Sequence, residues 1–162
     1  MFNTSAAAVT DATVSVFSAL SASQKSALLA DLFTTTTHDG VAFSLLRHTI
    51  GASDLSGSLY SYDDNTDPSL SSFNLQPAGN AMLSWIAQFK AINPAIKLLG
   101  SVWSPPGWMK LNGVMDGQSN NNNLNTGYAS SFAQYFVKYI QAYAAGGVQV
   151  RSEERRVGKE CL

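Results

Sequence analysis

Apolar positions recur along this chain in two rhythms that alternate. Over residues 11–33, Val14, Val16, Phe17 and Leu20 form one apolar face, and Ala27, Leu28, Leu29, Leu32 and Phe33 form another. That spacing predicts helix. Between them Ser21-Ala22-Ser23-Gln24 reads as a capping box, a hydroxyl at the N-cap with Gln three residues on. The β-branched run 34–37 is a poor helix, and with His38, Asp39 and Gly40 it closes the segment. Residues 41–50 then read as a strand, with Ala42-Phe43-Ser44-Leu45-Leu46 as a short apolar run expected where both faces are covered.

The same alternation repeats twice more. Residues 78–92 predict a helix with Pro77 in its first turn and a stripe of Met82, Leu83, Trp85, Ile86 and Phe89, stopped by Asn93-Pro94. Residues 96–102 predict a strand. Residues 128–145 predict a helix carrying Phe132, Tyr135, Phe136, Tyr139, Ile140 and Tyr143 along one side, with Gly146-Gly147 as its C-cap. Residues 148–150 look like the start of a further strand. Helix and strand in strict alternation imply parallel βα units. Two long polar loops, 51–74 and 103–127, follow the strands. They lie at the strands' C-terminal ends, where α/β proteins place ligand sites in barrels and open sheets alike.

Charge divides the chain in two. Residues 1–150 carry 14 charged side chains: eight Asp, five Lys, Arg47 and no Glu. Residues 151–162 carry seven, including all three glutamates, beside the single cysteine, Cys161. The first region has a net charge of −2, no footprint for nucleic acid. One cysteine precludes an internal disulfide, no Cys/His cluster suggests a metal, and no apolar run reaches the ~18 residues of a membrane span. No cofactor-binding motif is present. The first residues show no basic and apolar signal-peptide pattern.

Few residues suggest chemistry. Arg47, the only arginine before residue 151, stands near the C-terminal end of a predicted strand. It suits holding sugar hydroxyls or a carboxylate, or equally a structural salt bridge with Asp54. Trp103 directly follows the next strand, ahead of Ser104-Pro105-Pro106-Gly107-Trp108. A strand-terminal indole fits a sugar ring, whereas Trp108 reads as a packing residue. His48 faces away from Arg47, toward the core. No serine lies in a nucleophile elbow.

These segments resemble glycoside hydrolase family 30, which includes fungal endo-β-1,6-glucanases and glucosylceramidases. The resemblance rests on Ala8-Val9-Thr10-Asp11-Ala12, on the run from Leu46-Arg47-His48 to Ser53-Asp54-Leu55-Ser56, on Ser101-Val102-Trp103-Ser104-Pro105-Pro106-Gly107-Trp108-Met109-Lys110-Leu111-Asn112-Gly113, and on Tyr135-Phe136-Val137-Lys138-Tyr139. The segment 111–117 is more similar to the β-1,6-glucanase branch. Val102 stands where a proline is usual.

The resemblance implies a (β/α)8 TIM barrel and a retaining hydrolase of β-glucosidic bonds, in β-1,6-glucan or glucosylceramide-like substrates, that works outside the cell without a cofactor. It implies that Arg47, Asp54 and Trp103 hold the carbohydrate. The family's acid/base glutamate, in an Asn-Glu-Pro motif after the fourth strand, and its nucleophile after the seventh would both lie beyond residue 150. The chain is therefore expected to hold about the first three βα units, lacking most of strand one. Residues 1–150 would be an incomplete barrel domain without catalytic residues, an inactive fragment. Residues 151–162 resemble a translated sequencing adapter and read as a non-native tail. Two alternatives stand beside this: a non-catalytic sugar-binding remnant, and an unrelated α/β domain with a charged interaction tail.

Overall fold

A computed structural model describes residues 5–36, 40–116 and 121–155, with backbone alone for 152–155. Its centre is a sheet of four parallel strands in sequence order: β1 (Ala6–Val9), β2 (Leu45–Ile50), β3 (Lys97–Val102) and β4 (Ser152–Arg155). The connections are helical: α1 (Asp11–Ala19) and α2 (Ala22–Phe33), then α3 (Gln76–Ile92), then α4 (Ala129–Ala145). Three βα units and a fourth strand in this order give the expected partial α/β barrel.

Three expectations need correcting. The first strand is present: Ala6, Ala7, Ala8 and Val9 pair with Leu45, Leu46, Arg47 and His48. Alanines have weak strand preference, so this element owes its conformation to its partner strand rather than to its own sequence. The segment 11–33 is two helices, because the Ser21 box opens a second one: the Gln24 N–H donates to Ser21 Oγ at 3.3 Å and the Ser21 N–H to Gln24 Oε1 at 2.9 Å. Thr10 and Thr13 make the same reciprocal pair before α1. The fourth strand starts at Ser152 rather than at 148, since Val148 still bonds back to Tyr143 O at 2.9 Å in the helix-ending turn. His38 and the tail from Arg156 lie outside the described residues.

The core is aromatic and lies between sheet and helices. Phe33 stacks on Phe89 with centroids 4.4 Å apart, and Phe17 meets Trp85 edge-on at 5.6 Å. Toward α4, Tyr62, Tyr135, Tyr139 and Tyr143 are fully buried. Tyr62 belongs to the polar loop 51–74, yet its N–H donates to Tyr135 Oη at 2.9 Å and fastens that loop to α4. Gly100 allows the sheet to approach α4: a Cβ there would sit 2.5 Å from Tyr139 Oη. Among the described residues no helix is long and apolar enough to cross a membrane.

Candidate sugar-binding site

Strand alternation and register build the site. Leu46, His48 and Ile50 of β2 turn toward the helices and are buried. Arg47 and Thr49 turn to the opposite face. On β3, Leu99 lies beside Arg47 and Ser101 beside Thr49, so Ser101 and the following Trp103 rise on the same face. Arg47 leans toward the strands' C-terminal ends. Its Nη2 donates to Ser101 Oγ at 2.8 Å, and its guanidinium carbon lies 4.5 Å from the centre of the Trp103 ring. A cation over an indole at this distance is attracted to the ring face.

Asp54 is held elsewhere. It occupies an exposed turn in the loop after β2, and among the described residues no hydrogen bond or ion pair joins it to Arg47 or Trp103. The structure thus brings Arg47 and Trp103 together and leaves Asp54 on the neighbouring loop, unpaired with Arg47. Trp108 is the packing residue: its Nε1–H donates to the Asp63 carbonyl at 2.9 Å and its ring meets Tyr128 edge-on. Lys110 braces the same wall, its Nζ donating to Met115 O at 2.9 Å and Ser104 Oγ at 3.2 Å.

Behind the strand His48 is enclosed. Nε2 lies 2.5 Å from Tyr139 Oη and Nδ1 3.3 Å from Tyr143 Oη, and burial pushes its pKa down to about 3. A neutral imidazole with both nitrogens partnered inside the core is a structural group. Tyr62 in the same aromatic core is pushed up to about 12 by burial. Burial, then Tyr62 and Asp11, raise Tyr60 well above the usual phenol range and keep it protonated as a donor. Among the described residues no group of three or more His, Cys, Asp or Glu could hold a metal ion.

Sequence reasoning missed two features. Ser101 was recoverable by alternation, being two residues before Trp103. Asp11 was visible only as part of a motif, because its partners Ser56 and Tyr60 lie 45 and 49 residues away.

Residues 3–154 match the glycosyl hydrolase family 30 TIM-barrel domain. The chain belongs to glycosyl hydrolase family 30. It is 58% identical over 159 residues to the endo-1,6-β-D-glucanase neg1 of Aspergillus fumigatus, and 56% identical over 148 residues to an endo-1,6-β-D-glucanase of Neurospora crassa. Each match takes in 89% of this chain, but 32% and 30% of the two relatives. The endo-β1,6-glucanase BT3312 superposes with a TM-score of 0.81 at 32% identity, over 91% of this chain and 33% of that one. The chain thus spans about a third of the length of these relatives. Family membership disposes of the unrelated α/β domain, and the Arg47–Trp103 pair stands at the C-terminal end of the sheet.

Proposed function

We propose that this chain forms the substrate-holding part of a retaining, extracellular β-glucan hydrolase, with β-1,6-linked glucose chains as its ligand. Arg47, Asp54 and Trp103 would hold the sugar. The observation that carries the reading is the Arg47 guanidinium lying on the Trp103 ring at the C-terminal end of a family 30 sheet. An indole offers a flat apolar face to a sugar ring, and a guanidinium offers directed donors to its hydroxyls. The fungal relatives and BT3312 bear the name endo-1,6-glucanase, which favours β-1,6-glucan over glucosylceramide.

Turnover is a separate matter. A retaining glycosidase needs two carboxylates about 5–5.5 Å apart, one cycling between acid and base. Residues 1–150 contain no glutamate. The reading therefore has the chain bind sugar without cleaving it. Residues 151–162 would be a foreign tail, although Ser152–Arg155 take the place of a fourth strand. Genomic sequence that runs past codon 150 into an Asn-Glu-Pro frame supports this, and genomic encoding of the tail overturns it.

Titration of the purified chain with β-1,6-linked glucotriose, followed by tryptophan fluorescence, tests the binding. A saturable change that is lost in Trp103→Ala is expected. No saturable change, or one unaltered in Trp103→Ala, overturns the site. Release of reducing ends from a β-1,6-glucan at an enzymatic rate overturns the non-catalytic reading.

A further inference from the structure

The segment 51–60, which carries Asp54, is fastened at three places. At its base Gly51 has φ +74°, and a Cβ there would lie 3.1 Å from Tyr60 O. The Ala52 N–H donates to that same carbonyl at 2.9 Å and closes the loop. Within the loop a tight turn forms: the Ser53 N–H donates to Ser56 Oγ at 3.0 Å, the Leu55 N–H to Ser53 Oγ at 3.2 Å, and the Ser56 N–H to Ser53 O at 3.1 Å. The third fastening comes from outside. The Ser56 hydroxyl donates to Asp11 Oδ2, and the Tyr60 hydroxyl lies within reach of both Asp11 oxygens, at 3.1 and 3.2 Å.

Asp11 is the first residue of α1, two positions after β1 ends, so it stands at the same end of the sheet as Arg47 and Trp103. A carboxylate accepts from two hydroxyls at once, and its charge makes both bonds stronger than those to a neutral acceptor. Ser56 accepts from the turn and donates to Asp11, a chain in which each bond strengthens the next. Nothing apolar anchors the turn in their place, since Leu55 and Leu59 are 57% and 59% exposed.

We propose that Asp11 is a positioning residue for sugar binding: by holding Ser56 and Tyr60 it fixes the turn from which Asp54 meets the ligand. This rests on the reading above that Asp54 holds sugar. A turn already fixed does not have to be ordered when ligand arrives, so its carboxylate binds more tightly.

Two measurements on the full chain decide it. Amide hydrogen exchange without sugar should be faster at residues 53–56 in Asp11→Ala and unchanged in β2 and β3. Asp11→Asn, which keeps one acceptor oxygen, should recover part of the protection. Affinity for β-1,6-linked glucotriose, read by tryptophan fluorescence, should fall by about tenfold in Asp11→Ala through lost preorganisation. The double variant Asp11→Ala/Asp54→Ala should bind no more weakly than Asp54→Ala alone, because Asp11 acts through Asp54. If Asp11→Ala does not fold, Ser56→Ala and Tyr60→Phe remove the same fastening from its other side and carry the same expectation. Unchanged exchange, unchanged affinity, or additive losses overturn the proposal while leaving the sugar site standing. Wild-type chain that shows no saturable response overturns the sugar-binding reading itself, and with it the role given to Asp11.

Discussion

The two faces of β2 are built from different kinds of group. His48 and Ile50 look into a closed aromatic layer, with each histidine nitrogen partnered by a tyrosine. Arg47, one residue away, lies half-buried against Ser101 and the half-buried Trp103. The helix-facing side is completed by this chain's own residues. The opposite side carries polar and flat groups at the C-terminal end of the sheet. A strand period of two is enough to separate a structural face from a ligand face. The first should therefore govern stability and the second affinity.

The hardest test of that division is to open the closed face. Phe89 is fully buried, stacked on Phe33 and edge-on to Phe17. Phe89→Ala should cost about 3–5 kcal/mol, from lost burial and the cavity left behind. Chemical denaturation would measure it. A loss under about 1 kcal/mol, the size of an ordinary surface substitution, would mean the aromatic layer is not what holds the sheet.

Acid attacks the same face through His48. Its pKa falls from 6.5 to about 3 on folding, so the unfolded chain binds the proton more readily. Its contribution is fully present above pH 6.5 and is lost as pH drops from there toward 3, at up to about 1.4 kcal/mol per pH unit. At pH 5 the fold should be weaker by about 2 kcal/mol than at pH 7 on this account. Unfolding curves at both values, with His48→Gln as the non-titrating control, check it. A wild-type difference no larger than the control's would remove His48 from the acid response.

How far the sequence foretold these faces follows from where the information lies. Helices α3 and α4 were legible because their apolar stripes repeat at the helical period, and β2 and β3 because short apolar runs end at long loops. β1 was not, since three alanines favour no strand until β2 pairs with them. Tyr62 was hidden within a run of Ser and Asp, where only the tertiary bond to Tyr135 shows it to be core. At the site, Arg47 and Trp103 stood out by rarity and position. Ser101 followed from alternation, whereas the hold of Asp11 on Ser56 depends on a chain crossing that local pattern does not encode.

The smallest effect sharpens the comparison most. Ser101 is buried, and its hydroxyl accepts the Arg47 guanidinium from the neighbouring strand. Ser101→Ala removes that acceptor and nothing of the aromatic layer. Stability should fall by about 1 kcal/mol, the net worth of one such bond, which is roughly 2–4 °C in melting temperature for a domain of this size. Arg47 would keep its contact with the Trp103 ring, with less to fix the direction of its guanidinium. Affinity for β-1,6-linked glucotriose should therefore drop by several-fold, a loss similar in free energy to the change in stability. Melting and fluorescence titration of the same sample give both numbers. If Ser101→Ala melts far lower yet binds as wild type does, the two faces are one structural unit, and the division between holding the fold and holding the ligand is wrong.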